Sequence, residues 1–175
     1  GIQFADSMRH TGNNSRNYRL QWVHLPANMV DSPYFPECYS LQEISIPSGV
    51  TSIASSAFDR CYSLKKIEIP DTVNEMGDYV FYSSELESVK LSSGLKKLGK
   101  NLFDSCDMLA DVTIPDGVTT IGAFCFSDCG ISNITVPDSV TNISGNPFDS
   151  DMKITWKGTT YEDSYDFMKA FKGQS

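Results

Sequence analysis

The chain has 175 residues, which is long enough for one domain with a sizeable hydrophobic core but short for two. It carries 22 acidic and 14 basic residues, and the net charge of −8 disfavours contact with phosphate backbones or anionic lipid, so we expect no nucleic-acid partner. No stretch approaches the roughly 20 apolar residues that a membrane-spanning helix needs, and we expect no membrane insertion.

The first segment, residues 1–19, has no sustained apolar periodicity, and we interpret it as an N-terminal cap or loose segment. The first predicted strand follows it and ends at Leu25. This strand would turn Trp22 and His24 outward at the N-terminal rim. The two side chains therefore mark either a partner site or a surface that residues 1–19 cover, and we favour the cover because an open first coil exposes core.

An internal repeat dominates the chain from residue 47 onward. Four units of 23, 22, 23 and 22 residues share the pattern P-x-x-V-x-x-I-x-x-x-A-F-x-x-C-x-x-L-x-x-I-x-I, and a fifth, aberrant unit follows. A unit of this length cannot enclose a core alone, whereas stacked units bury one continuous apolar column. The repeat therefore predicts a solenoid, with repeats over residues 20–156.

Each unit closes on the segment L-x-x-I-x-I, whose last residues alternate as in a strand. Ile67 and Ile69 would face the core and Glu68 the solvent. Equivalent strands of neighbouring coils would pair in parallel along one side, and the return half leaves room for a short strand, a turn or one helical turn. We predict a parallel sheet of six or seven strands, ending at Leu25, Ile46, Ile69, Leu91, Ile114, Val136 and Trp156.

Recurring phenylalanines and cysteines supply the remaining core positions. Cys125 occupies a slot that other units fill with Ala, Val or Leu, and the other cysteines share a second slot. Cysteine acts in such slots as a small hydrophobic residue. The predicted core residues are Phe58, Phe81, Phe103, Phe126, Phe148, Cys38, Cys61, Cys106, Cys125 and Cys129.

Two chemical roles for the cysteines compete with this interpretation. Adjacent coils lie about 4.8 Å apart, so the Cα separation permits a disulfide between Cys38 and Cys61 or between Cys106 and Cys129. Stacked side chains point the same way, however, and a disulfide needs them to turn towards each other. A zinc site needs four converging ligands, which a linear column of thiols does not offer, so we expect no metal.

The C-terminal segment, residues 157–175, breaks the pattern and is predicted to cap the last coil. It contains a helix over about residues 163–172, with acidic residues early and lysines late. We expect Tyr161, Tyr165, Met168 and Phe171 to form the apolar face of this cap.

The outward positions of the strands form a grid that is the candidate binding face. Its charges balance, and the grid lacks the Trp, Tyr and Arg residues that favour binding hot spots. Met152 is also predicted to face outward. The candidate binding residues are Gln42, Glu43, Lys65, Lys66, Glu68, Glu87, Lys90, Asp111 and Asn133.

The segment "IPDGVTTIGAFCFSDCGISNITVPDSVTNI" closely resembles the BspA-like leucine-rich repeats of bacterial surface proteins, and the match covers about residues 20–156. The resemblance implies a leucine-rich-repeat solenoid on a secreted or surface-anchored bacterial protein that binds host or neighbouring-cell components. No catalytic residue comes with that family, so the resemblance transfers none to this chain.

We therefore interpret the chain as a single domain that acts as a non-catalytic extracellular binding or adhesion module. Its partner would be a protein or glycan at a cell surface, and the chain would act as a monomer without a cofactor. The alternative is a structural spacer of a larger surface protein. Enzymatic chemistry finds little support, because His10 and His24 are the only imidazoles and no nucleophile motif accompanies them.

Overall fold

A computed structural model of the chain describes residues 20–173, and the predicted cap over residues 1–19 lies outside them. The chain winds into a solenoid of about six coils. We identify each coil by its buried phenylalanine. In chain order these are Phe35, Phe58, Phe81, Phe103, Phe126 and Phe148.

Short strands line two sides of the solenoid. The front strands are β1 Trp22–His24, β2 Glu43–Ser45, β4 Lys66–Glu68, β6 Ser88–Lys90, β9 Asn133–Val136 and β11 Lys153–Trp156. The return strands are β3 Ser52–Ile53, β5 Glu75–Met76, β7 Lys97–Leu98, β8 Thr120–Ile121 and β10 Asn142–Ile143. Strand β12, Thr159–Tyr161, and helix α1, Ser164–Lys172, close the C-terminal end.

The front and return strands pair in parallel, one coil apart, and with the alternation that the repeat predicts, whereas β12 pairs antiparallel with β11. Ile67 of β4 lies opposite Val89 of β6, and Ile134 of β9 lies opposite Ile154 of β11. In β4 the central isoleucine is buried while its two neighbours are exposed. The predicted solenoid with short parallel strands is therefore confirmed.

The front sheet is less continuous than predicted. Its strands form three separate groups, β1–β2, β4–β6 and β9–β11–β12. The predicted strand ending at Ile114 is absent, although Val112 and Ile114 remain buried in the common core. Packing of these two side chains thus keeps residues 110–114 in place without a strand ladder.

A third side connects the return strands to the front strands, and we call it the ladder side. It consists of residues 33–37, 56–60, 79–83, 101–105, 124–128 and 146–148. The N–H of Phe58 donates to the carbonyl oxygen of Val80 at 2.9 Å, and the residues two before and two after Phe58 also donate to that next coil. The same three-bond pattern repeats at Phe81 and Phe103.

Backbone geometry explains how the ladder side can turn and still pair. The residues two before and two after Phe58, Phe81, Phe103 and Phe126 have positive φ, between 49° and 60°. These left-handed residues curve the chain around each phenylalanine, while every second N–H still points along the solenoid axis.

The phenylalanines of the six coils form one stacked column. Neighbouring ring centroids lie 5.5–6.4 Å apart with interplanar angles of 4–17°. Full burial of such a ring stabilises the fold by about 1.5–3 kcal/mol. Phe35 starts the column and was missing from the predicted core.

The C-terminal cap is present, as predicted, but its buried face differs. Asp163 is the N-cap of α1 and accepts a hydrogen bond from the N–H of Asp166 at 2.8 Å. Phe167 is fully buried and meets the ring of Phe148 edge-on at 5.6 Å, whereas Tyr165 is 74% exposed. The prediction that Tyr165 belongs to the apolar face was wrong, because the helix turns residues 164, 167, 168 and 171 inward.

Candidate functional site

The N-terminal half of the front face carries charged side chains, and its Lys65 and Lys90 pair with glutamates. Lys65 Nζ lies 2.6 Å from Glu85 Oε2 and 4.0 Å from Glu87 Oε1. Lys90 donates to Glu68 across neighbouring coils. Such exposed pairs contribute little to stability, but they satisfy charges that a ligand would otherwise use. The other predicted residues of this half, all exposed, are Gln42, Glu43 and Lys66.

The C-terminal half of the front face contains a groove as well as an ion pair, in which Lys153 Nζ lies 2.7 Å from Glu162 Oε2. A hollow of about 310 Å³ lies over residues 111–116 and 133–137 and reaches Thr155. A second hollow of about 390 Å³ shares Asp116, Thr135 and Thr155 with it and extends to Lys157. We call the two together the front groove. The predicted residues Asp111 and Asn133 both line it.

The polar groups of the front groove are largely uncommitted. Within residues 20–173, the carboxylates of Asp111 and Asp116 and the hydroxyls of Thr113 and Thr135 make no hydrogen bond. No backbone hydrogen bond joins residues 110–114 to the neighbouring coils in this part of the chain either. The groove therefore offers carboxylate and carbonyl acceptors beside N–H and hydroxyl donors.

The predicted rim residues lie on β1, at the N-terminal end of the stack. Trp22 is 69% exposed and His24 is exposed as well. The structure pairs β1 only with β2 among the described strands. The predicted cover over this rim falls on residues 1–19, outside the described part of the chain.

The cysteines are free thiols that belong to the core. The thiol of Cys61 donates to the carbonyl oxygen of Phe35 at 3.2 Å, and that of Cys106 donates to Phe81 O at 3.1 Å. Burial raises the pKa of Cys106 to about 11. A protonated, buried thiol is a poor nucleophile and a poor metal ligand, so these side chains serve packing.

Cys129 departs from the predicted core position. It is half-buried and packs against the edge of the core, and its thiol donates to the carbonyl oxygen of Phe126 in its own coil at 2.9 Å. The step from Cys129 to the next buried residue, Ile131, is one residue shorter than in the 23-residue units, which displaces the thiol outward. The four fully buried cysteines are Cys38, Cys61, Cys106 and Cys125.

Sequence reasoning missed an aromatic surface on the outside of the ladder side. We call it the tyrosine strip, and it consists of Glu37, Tyr39, Arg60, Tyr62, Tyr79, Tyr82 and Lys100. Tyr39 and Tyr62 each lie four residues after the phenylalanine of their coil, and this recurrence is the signal that could have revealed the strip. Tyr and Arg are the side chains that hot spots favour, so the strip supplies what the front grid lacks.

The described residues contain neither a cluster of metal-ligating side chains nor a helix that could span a membrane. Residues 20–173 contain no group of three or more His, Cys, Asp or Glu side chains arranged to hold a metal ion. The one helix of this region is too short and too polar to cross a bilayer.

Comparison with known proteins places these features in context. The sequence model of the BspA-type leucine-rich repeat region matches residues 28–155 with six copies. A comparison with curated proteins finds no match.

Solved bacterial structures share the architecture. A leucine-rich cell surface protein from Faecalibacterium prausnitzii A2-165 is 25% identical, with a TM-score of 0.59 over 80% of this chain and 48% of that one. A leucine-rich repeat protein from Bacteroides ovatus ATCC 8483 is 22% identical, with a TM-score of 0.53 over 78% and 51%. The leucine-rich repeat protein of T. pallidum is 26% identical, with a TM-score of 0.61 over 78% and 73%.

The present chain thus spans about half the length of the first two proteins. The match to the family model, over residues 28–155, includes the coil whose front segment lacks a strand. By its repeats and its fold, the chain belongs to the BspA-type leucine-rich repeat family.

Proposed function

We propose that the chain is a non-catalytic binding module of a bacterial surface protein and that the front groove binds a carbohydrate. The observation that carries this proposal is the contrast within the front face. In the N-terminal half, Lys65 and Lys90 pair with glutamates. In the groove of the C-terminal half, the carboxylates of Asp111 and Asp116 and the hydroxyls of Thr113 and Thr135 are open to a ligand.

Hydrogen-bond chemistry favours a carbohydrate over an apolar ligand. Each sugar hydroxyl both donates and accepts, so it needs donors and acceptors in alternation. Asp111 and Asp116 supply acceptors, while Asn133 Nδ2 and the hydroxyl of Thr135 supply donors. A groove of about 310 Å³ lies within the size range of ligand pockets, at about 300–1,000 Å³.

The surface location is part of the proposal. It is supported by the similarity to a Faecalibacterium prausnitzii protein described as a leucine-rich cell surface protein. Leucine-rich repeat solenoids present extended surfaces that suit recognition rather than catalysis.

A structural spacer is the second candidate. It is favoured by the ion pairs of Lys65 and Lys90 in the N-terminal half of the front face, which engage groups that a partner would otherwise use. A spacer would bind no ligand in the front groove, and this difference separates the two candidates.

The test is a glycan-array screen of the intact chain, followed by calorimetric titration of the best glycan. Asp111→Asn replaces a carboxylate acceptor oxygen by an NH₂ donor, and Thr135→Val removes a hydroxyl; each change is at an exposed position and should weaken binding at least tenfold. The matched control is Thr51→Val, because Thr51 is exposed on the return side, away from the groove. An array without a bound glycan, or binding that ignores both groove substitutions, would overturn the carbohydrate proposal.

A further inference from the structure

We propose that the tyrosine strip is a second interaction surface, which binds a proline-rich extended segment of a partner protein. The strip lies on the ladder side and shares no residue with the front groove. It therefore goes beyond the carbohydrate proposal and does not depend on it.

The strip forms one connected row of contacts across four coils. The rings of Tyr39 and Tyr62 stack at 4.9 Å, and the hydroxyl of Tyr39 donates to Glu37 Oε2 at 3.3 Å. Glu37 Oε1 in turn lies 3.6 Å from Arg60 Nη1. These contacts join the first two coils into one surface.

The row continues into the next two coils through aromatic and cationic contacts. The Arg60 guanidinium lies 5.5 Å from the centre of the Tyr82 ring. Tyr82 meets Tyr79 edge-on at 5.8 Å, and Lys100 Nζ lies 5.8 Å from the centre of the Tyr79 ring. The rings are thus held in fixed positions before any partner arrives, which lowers the entropic cost of binding.

The backbone beneath the strip restricts how a partner can bind. Every second N–H of residues 56–60 and 79–83 donates to the next coil, as do those of residues 101–105. No free N–H row remains there to pair with an added strand. A partner must therefore bind through side chains, by ring packing and by hydrogen bonds to the tyrosine hydroxyls.

The open polar groups of the strip are tyrosine hydroxyls, which can donate as well as accept, and one ammonium donor. In the described part of the chain, the hydroxyls of Tyr62, Tyr79 and Tyr82 make no hydrogen bond, and Lys100 adds an ammonium group. The carboxylate acceptors of this region are engaged or buried. Glu37 pairs with Arg60 and accepts a hydrogen bond from Tyr39, and Asp59 Oδ1 is buried.

A proline-rich segment is the chemical complement of such a surface. In the polyproline II conformation its carbonyl groups are fully exposed as acceptors, and prolines have no N–H that would need an acceptor. Proline rings pack on aromatic side chains, the mode by which aromatic-lined grooves recognise such segments. A sugar, by contrast, is better matched by carboxylate acceptors, and those of the strip are engaged or buried.

Length and charge agree with this partner. The strip crosses three coil steps, about 14 Å at about 4.8 Å per step, which about five residues of polyproline II cover at about 3.1 Å each. The charge of Arg60 is balanced by Glu37 and Asp59, so the strip offers no concentrated site for an anionic partner.

Tyr79 provides a substitution that removes a ring without harming the fold. It has a φ of 60°, a left-handed conformation that glycine adopts more easily. Tyr79→Gly should therefore fold, and Tyr82→Ala removes a second ring. Phe124→Gly is the matched control, since Phe124 is an exposed aromatic residue in the equivalent slot, with a φ of 58°, two coils after Tyr79 and outside the strip.

The experiment titrates octaproline and a panel of proline-rich decapeptides into the isotopically labelled intact chain, with calorimetry and NMR shift mapping. We expect binding that shifts the signals of residues 60–62 and 79–82, that weakens at least tenfold in Tyr79→Gly and Tyr82→Ala, and that Phe124→Gly leaves unchanged. A glycine-serine decapeptide should not bind.

Three results would overturn the proposal. The first is that no proline-rich probe binds. The second is that both strip substitutions leave the affinity unchanged while their spectra show folded protein. The third is that the shifts map to the front groove or to a self-association surface. Glycan binding in the groove is measured on the same variants and should not change, so either proposal can fail without the other.

Discussion

The ladder side and the front face hold the same coils together by different means. On the ladder side, backbone hydrogen bonds connect successive coils from Phe35 to Phe148, over a column of stacked rings. On the front face, strands pair in three separate groups, and residues 110–114 pair with neither neighbour. Of these two sides, the ladder side therefore carries more of the cohesion between coils, and the front face leaves backbone and side chains open to ligands.

The largest effect is expected from breaking the phenylalanine column at its middle. Phe103→Ala removes a fully buried ring that stacks on Phe81 and Phe126, and it should lower the free energy of unfolding by about 3–5 kcal/mol. Thr113→Ala on the exposed front face of the same coil should change it by less than about 0.5 kcal/mol. Urea denaturation of both variants gives the comparison, and similar losses in the two would contradict it.

A smaller effect is expected where a return strand passes into the ladder side. A Cβ atom at Gly122 would lie 2.6 Å from the backbone nitrogen of Lys100 in the preceding coil. Because backbone cannot move aside cheaply, Gly122→Ala should cost about 1–3 kcal/mol.

The control for this substitution lies in the same coil. At Gly117 the nearest atom to an added Cβ is Lys96 Nζ at 3.1 Å, the end of a flexible side chain. Thermal denaturation should therefore show a clear loss for Gly122→Ala and little change for Gly117→Ala. Equal melting temperatures would show that the coils are not tightly spaced at this point.

The left-handed residues of the ladder side allow a change in the opposite direction. Phe124 has a φ of 58° and is 49% exposed, so its ring gains only part of the stabilisation that full burial gives. Phe124→Gly should raise the free energy of unfolding by about 0.5–1 kcal/mol, because glycine adopts this conformation without steric strain. A lower free energy of unfolding for Phe124→Gly in urea would show that packing of the Phe124 ring stabilises the fold by more than its left-handed conformation costs.

The smallest effect is expected from the ion pairs of the front face. Lys65→Met removes the partner of Glu85, and the free energy of unfolding should change by less than about 0.5 kcal/mol because the pair is exposed. A loss above 1.5 kcal/mol would mean that the front face also carries part of the cohesion. Denaturation at low and high salt separates the charge contribution from packing.

Repetition made most of the fold predictable. The period of 22–23 residues, the inward isoleucines and the phenylalanine slot follow directly from one pattern read across several units. Phe35 was missed because its flanking residues differ from those around the phenylalanine position of the other units. Prolines lie on both sides of it, in the segment "SPYFPECYS". Met152, predicted to face outward, is 1% exposed, because in the last coil it fills the place of the missing leucine.

Features that depend on neighbouring coils could not be predicted from one unit. Residues 110–114 have the same spacing of inward-facing residues as the segments that form paired strands. Nothing in their own sequence therefore predicts that they lack strand pairing. The front groove and the tyrosine strip arise from side chains of successive coils, which the repeat pattern treats as variable. The division of the chain at residues 19 and 156 stays a prediction, as do the binding roles of the grid and rim.

Hydrogen exchange of individual amides, followed by NMR, tests the central claim most directly, because protection reports the free energy of opening at each site. We expect the amides of Phe58, Phe81 and Phe103 to exchange only through global unfolding. Those of Val112 and Thr113 should exchange orders of magnitude faster. Equal protection of both sets, or early exchange at the ladder side, would contradict the claim that the ladder side carries more of the cohesion.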